Sequence, residues 1–393
     1  MSEHIRKVYI DYNATTPLRP EVKSSIIEDL EVFGNASSMH ASGRLARKRV
    51  EQARGVVGDL IGAAGGTVIF TSGGSEANNT VFQTMRRLVE TGAAKGRGEI
   101  ITTAIEHPCV LNSALNLEKL GFKVIILPVD EYGKLRIEEL EKALGDKTLF
   151  VSVMAANNEI GTVQDIKKIT SLVKDAGAFM HVDAVQAAGK IPVDSGGLAV
   201  DYLTVSAHKI YGPKGVGALY AKKGAPLFPL IHGGHQEDGL RAGTYNNLSI
   251  FGFGKAAEIA AAEVEKYGGV ISALRDRLRR GIEKNIPNIK INGHPQDILP
   301  NTLNVSFPGA EGEAILLSMD MKGIEASTGS ACASGSLEPS HVLLATGVGP
   351  ELAHGSIRFS LGWGITEEDI DYIIETLPPI IARLRAMSTL EAC

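Results

Sequence analysis

Short apolar runs alternate with amphipathic stretches through the first two thirds of the chain. Residues 67–71 (TVIFT) form one such run, and the polar turn at 72–75 leads into a helical pattern that ends by Gly92. Residues 100–103 predict a strand, after which Pro108 suits a helix start and Gly121 its end. Residues 124–129, 149–154, 179–182 and 202–205 predict further strands, separated by helices over 136–144 and 166–176, and 216–220 adds one more. Strands alternating with helices of roughly 10–15 residues imply βαβ units and a mostly parallel sheet.

The pattern changes after about residue 245. Ala/Glu-rich helical stretches cover 248–267 and 271–285, and short strands at 304–307 and 357–360 lie among helices over 311–321 and 366–387. Thr366 with Asp369 resembles a capping box, and Pro378-Pro379 predicts a kink. The fold class is therefore α/β: a large domain with a mostly parallel central sheet, plus a smaller α+β domain joined through a long helix. No tandem repeat or low-complexity linker interrupts it.

Composition changes this picture little. The 393 residues are enough for two or three domains, and 44% hydrophobic with 22% charged residues is ordinary for a globular chain. The formal net charge of −5 gives no broad basic surface, so no direct nucleic-acid partner is expected. Glycine is the outlier at 44 residues, about 11% against a usual 7%. Cys109, Cys332 and Cys393 are odd in number and never paired as C-x-x-C, which removes support for a disulfide framework or a Cys-based zinc site. The N-terminus turns polar too early for a signal peptide, and no run of about 18 apolar residues suggests a membrane span. A cytoplasmic setting is the expectation.

Candidate chemistry clusters where predicted strands end. Lys209 follows an apolar strand and precedes a Gly/Pro-rich turn, and Asp183 ends another strand. A lysine able to form a Schiff base, with a carboxylate for a pyridinium nitrogen, is what pyridoxal phosphate chemistry needs. Residues 72–76 (SGGSE) sit between strand and helix, where backbone N–H groups and Ser75 suit a phosphate; a plain N-cap explains them equally well. His107, just before a helix, is a cap or, beside a planar cofactor, a stacking proton carrier. Asn158 lies in an Asn-rich turn that could also bind a ring hydroxyl or a carboxylate. Around Cys332 every residue from 327 to 336 is small, which argues for a mobile loop bearing a reactive thiol over a packed cysteine.

Taken together these residues resemble the cysteine desulfurases of the NifS/IscS type, class V aminotransferase-like enzymes that use pyridoxal 5′-phosphate. The resemblance runs from residues 11–17 (DYNATTP) to 356–362 (SIRFSLG). Between these lie Glu106-His107, residues 157–161 (NNEIG), 181–183 (HVD), 206–209 (SAHK), 329–332 (GSAC) and 336–340 (SLEPS). It implies fold type I, with residues 15–260 as the large cofactor-binding domain and 1–14 with 261–393 as the small domain carrying the Cys332 loop.

The same resemblance implies that Lys209 carries the cofactor, Asp183 pairs with its ring nitrogen, His107 stacks on the ring and Gln186 bonds its phenolic oxygen. Gly74, Ser75, Ser206 and His208 would hold the phosphate, with Thr244 reaching in from the second subunit of a homodimer. Asn158 and Arg358 would take the carboxylate of L-cysteine, and Cys332 would receive sulfur as a persulfide, L-alanine being released. No structural metal site is implied, although Cys332 could ligate an iron–sulfur cluster transiently. The family often has Thr where Ser75 stands. The chain ends soon after residues 384–387 and lacks the extended tail with which housekeeping members engage their iron–sulfur scaffold protein, so the sulfur acceptor stays open between such a scaffold and tRNA thiolation. Selenocysteine lysis is the alternative chemistry, and a silent sulfur-carrier or assembly protein the alternative class. Cys393 has no implied role.

Overall fold

The computed structural model describes residues 6–63, 65–328 and 338–387. Cys332, the small-residue loop around it and Cys393 lie outside the described residues. The N-terminal part contributes β1 (Val8–Tyr9), α1 (Pro20–Glu28) and α2 (Ala41–Leu60). The alternating segment follows with β2 (Gly66–Thr71), α3 (Gly74–Glu90), β3 (Glu99–Thr103), α4 (Pro108–Lys119), β4 (Lys123–Leu127) and α5 (Ile137–Ala143). It continues through β5 (Thr148–Met154), α6 (Ile166–Asp175), β6 (Phe179–Asp183), β7 (Tyr202–Ser206) and β8 (Gly217–Lys222).

These strands form one seven-stranded sheet in the order β2-β8-β7-β6-β5-β3-β4. Only β8 runs antiparallel to its neighbours; the β7-β6-β5-β3-β4 pairings are all parallel. Central strands of such a sheet are covered on both faces and read as continuous apolar runs. In β5 (TLFVSVM) every residue is buried. Helices α2 and α7 (Asn247–Asn285) pack close beside this layer, because a Cβ at Gly254 would lie 2.8 Å from that of Ala53.

The remainder builds a second hydrophobic core. It comprises β9 (Lys290–Asn292), β10 (Thr302–Ser306), α8 (Gly312–Asp320), β11 (Ile324–Glu325), α9 (His341–Ala345), α10 (Pro350–His354), β12 (Ser356–Ser360) and α11 (Glu367–Met387). A three-stranded antiparallel sheet, β12-β10-β9, packs with Leu278, Ile282, Phe307, Ile373 and Leu377. Val8 and Ile10 join this core from the N-terminus, where β1 pairs with β11.

One expectation differs from what forms. The two helices expected around residue 268 are one, α7, which passes through Gly268 and Gly269. Each glycine costs about 1 kcal/mol of helix propensity, less than the apolar faces on either side recover by packing. Helix α11 forms over the expected residues and includes Pro378 and Pro379, with Leu377, Ile380 and Ile381 in the second core. The capping box does form: Thr366 Oγ1 accepts from the Asp369 N–H at 3.2 Å, and Asp369 accepts from the Thr366 N–H at 3.0 Å.

Candidate active site

Successive parallel strands deliver their carboxyl ends to one place, and that is where ligands bind in open α/β sheets. A cavity of about 430 Å³ opens there, lined by Gly74, Ser75, His107, Asn158, Asp183, Gln186, Ser206, His208, Lys209 and Arg358 among others. Ten residues singled out by sequence thus share one wall. Thr244 does not: in its own chain it lines a separate cavity with Phe70, Glu237 and Arg241.

Lys209 leaves the short turn after β7, and its Nζ donates to the carbonyls of Asn13 at 2.5 Å and Ala14 at 2.8 Å. Asp183, at the end of β6, is buried and fully engaged. Its Oδ2 accepts from Asn78 Nδ2 at 2.7 Å, and its Oδ1 from the Val185 N–H at 3.0 Å. Both bonds fix the orientation of the carboxyl group.

His107 caps α4: the Cys109 N–H donates to its Nδ1 at 3.2 Å, and the Cys109 thiol lies 3.0 Å from the same nitrogen. With Nδ1 accepting, the ring proton sits on Nε2. Burial pushes the His107 pKa down, opposed by the charge of Asp183, with Lys209 and His341 lowering it further. Burial, with Lys209 and Lys214 beyond it, lowers His208 to about 4. Both imidazoles are therefore neutral at neutral pH.

One end of the cavity suits an anion. Helix α3 begins at Gly74 with no side-chain cap on its first N–H groups, and Ser75, Ser206 and His208 surround it. A Cβ at Gly74 would lie 2.9 Å from Val185 Cγ2, so the backbone comes close to the wall only because glycine stands there. At the other end Arg358, on β12 and almost fully buried, places Nη2 2.6 Å from Asp11 Oδ1 and donates through Nη1 to the Asn158 carbonyl at 3.1 Å. A phosphate seat, a lysine, a carboxylate and a buried arginine in this order match a phosphorylated aldehyde cofactor next to an amino-acid carboxylate. The donor set fits pyridoxal phosphate. Among the described residues no cluster of His, Cys, Asp and Glu could hold a metal ion.

Sequence reasoning assigned no part to Asn13, Ala14, Asn78 or Cys109, all of which line the cavity. Asn13 is highly connected. Its backbone oxygen accepts from Gln186 Nε2 as well as Lys209, and its side chain bonds Lys190, Asn301 and Thr302. The only hint was that Asn13 lies within the first of the motifs that carry the resemblance.

The chain is similar to known proteins over nearly its whole length. The family model for Aminotransferase class-V matches residues 8–373. A protein of Clostridium botulinum named Cysteine desulfurase IscS is 50% identical over 389 residues, 98% of this chain and 97% of the relative. One of the same name from Dictyoglomus turgidum is 49% identical over 384 residues, 98% and 96% of the two chains. Among solved structures, a NifS-like protein superposes with a TM-score of 0.88 at 40% identity, covering 96% of this chain and all of the other.

Proposed function

Since this chain belongs to the cysteine desulfurase branch of the aminotransferase class-V family, we propose that it uses pyridoxal phosphate to turn L-cysteine into L-alanine and hands the sulfur on through Cys332. The observation that carries this reading is that Lys209, Asp183 and Arg358 converge on one cavity from two sheets.

Pyridoxal phosphate, when bound, supplies an electron-poor ring that takes up the electrons released at the substrate α-carbon. Asp183 would hold the ring nitrogen protonated. Gly74, Ser75, Ser206 and His208 would hold the phosphate, and Gln186 the phenolic oxygen. Lys209 would anchor the cofactor and, once displaced by the substrate amine, take the α-proton from the substrate carbon onto its Nζ. Arg358 and Asn158 would bind the substrate carboxylate and so fix which face of the α-carbon meets Lys209. His107, neutral with its proton on Nε2, would exchange protons there with the substrate or the attacking thiol. In the overall transfer the Cβ–S bond of cysteine breaks and an S–S bond to Cys332 forms, with alanine taking a proton at Cβ. The sum is L-cysteine plus thiol giving L-alanine plus persulfide.

The working unit is a homodimer in which Thr244 of one subunit completes the phosphate seat of the other. Two features support it: Thr244 lies outside its own Lys209 cavity, and exposed apolar side chains between residues 27 and 45 include Phe33, 81% exposed, and Met39, 89% exposed. The sulfur serves iron–sulfur cluster assembly through an acceptor protein. No helix among the described residues is long and apolar enough to cross a membrane, which suits a cytoplasmic enzyme.

The test is product analysis. The purified protein with added cofactor should have a visible absorption band and release alanine from cysteine, and Lys209→Ala should lose both band and turnover. Pyruvate as product, or a protein that stays colourless, would refute the reading.

A further inference from the structure

Lys190 is buried at 3% exposure, carries an amine and has no part in the chemistry above. The turn that bears it reaches this position because Gly189, at φ 72°, lies against Ile210, the residue after Lys209; a Cβ there would stand 2.7 Å from Ile210 Cγ2. Lys190 Nζ donates to Gln186 Oε1 at 2.6 Å and to Asn13 Oδ1 at 2.8 Å. Two N–H groups and two carbonyl acceptors match a neutral amine. Burial in the first place, with the positive charges of Lys209 and Arg358, pushes Lys190 well below the usual lysine range.

The consequence falls on Gln186, which lines the cavity. A glutamine amide can present either its oxygen or its NH₂ to a given side. With Oε1 engaged by Lys190 and one Nε2 hydrogen given to the Asn13 carbonyl at 3.0 Å, the second Nε2 hydrogen remains for whatever fills the cavity. We propose that Lys190 is a positioning residue: its hydrogen bond to Gln186 Oε1 holds the Gln186 amide with a donor toward the cofactor's phenolic oxygen. This rests on the pyridoxal phosphate reading of the cavity. A flipped amide would set oxygen against oxygen.

The test compares dimer preparations saturated with pyridoxal phosphate at one fixed pH. It reads the ratio of the visible to the near-ultraviolet cofactor band, and the rate of cofactor loss on dilution. Lys190→Met keeps the volume and removes the donor. It is expected to change the band ratio and to speed cofactor loss about tenfold, the size of one hydrogen bond. Gln186→Leu should do the same, and the double variant should be no worse than Gln186→Leu alone, because Lys190 acts through Gln186. Gln186→Glu, which gives Lys190 its acceptor but offers the cavity none of its own donors, should reproduce the changed ratio even where Lys190→Met folds poorly. A wild-type band ratio in Lys190→Met or Gln186→Glu, or fully additive effects of about a hundredfold in the double variant, would overturn the proposal. Wild-type protein that develops no visible band would instead overturn the cofactor reading beneath it.

Discussion

Glu106 should make this protein less stable as pH rises through neutrality, and its replacement by Gln should remove that loss. The side chain is fully buried between β3 and α4. Its Oε1 accepts from Thr103 Oγ1 at 2.6 Å and from the Met154 N–H at 2.9 Å, while Oε2 has no partner among the described residues. Burial above all, aided by the charge of Asp183 and opposed by those two bonds, lifts the carboxyl from its usual 4.5 to about 8. The folded pKa is raised, so the stabilising contribution is whole below the unfolded value and is lost as pH climbs toward the folded one. Between those limits the unfolded chain sheds the proton and the folded chain keeps it. Each pH unit then costs about 1.4 kcal/mol, or about 3 kcal/mol from pH ~5.5 to ~7.5. Glu106→Gln keeps an acceptor for Thr103 and Met154 but leaves amide hydrogens buried, a pH-independent cost of about 1–3 kcal/mol. Urea denaturation of both proteins, at equal protein and cofactor concentrations, should show the variant weaker at the acid end and the gap closing by about 3 kcal/mol at the alkaline end. Parallel stability curves for the two proteins would refute the assignment of a neutral, buried Glu106.

Cys332→Ser should keep the visible cofactor band and lose both turnover and the one added sulfur seen by mass spectrometry after a single turnover without reductant. Sulfur on Cys109 instead would contradict this, and burial, which pushes the Cys109 thiol up to about 12, keeps it protonated and a poor acceptor. Gly74→Ala should weaken cofactor retention by about tenfold, since its Cβ would meet Val185 Cγ2 at 2.9 Å at the phosphate seat; unchanged retention in an equilibrium dialysis would count against that seat. Arg358→Lys cannot reproduce the two-nitrogen contact to Asp11 and the Asn158 carbonyl, so KM for cysteine should rise by about tenfold or more with the cofactor spectrum unchanged. Steady-state kinetics showing only a fall in kcat would point to a role other than carboxylate binding.

The parts of this molecule legible in sequence are those whose physics is local. Residues 149–154 read as a strand because a central parallel strand is apolar on both faces, and β5 spans Thr148–Met154. Lys209 and Asp183 stood out because they terminate such runs, where a sheet of this kind opens toward its ligand. What could not be read depends on contacts far apart in the chain. Asn13 enters the site because its N–H donates to Ser360 Oγ, 347 residues away, and because β1 docks on β11. Lys190 looks like any lysine in a turn until Asn13 and Gln186 are seen around its amine. The continuity of α7 was hidden for a related reason: Gly268 and Gly269 argue locally for a break, and only Ile271, Leu274 and Leu278 packed in the second core argue against it.

The N-terminal segment explains how two hydrophobic cores make one site. Asp11 bridges to Ser360 of β12 and holds Arg358, and two residues later Asn13 receives Lys209, Gln186 and Lys190 from the large sheet's side. Groups that would engage a carboxylate and an aldehyde are thus set relative to each other by three consecutive residues, Asp11 to Asn13, in one turn. Lys209 donates to two backbone carbonyls, and the contacts of Arg358 include the Asp11 carboxylate and the Asn158 carbonyl. Backbone carbonyls hold an amine less strongly than a carboxylate would hold its protonated form. Arg358 differs, since anion binding there must compete with Asp11. A substrate carboxylate bound at Arg358 would have to satisfy the guanidinium with better geometry than Asp11 does.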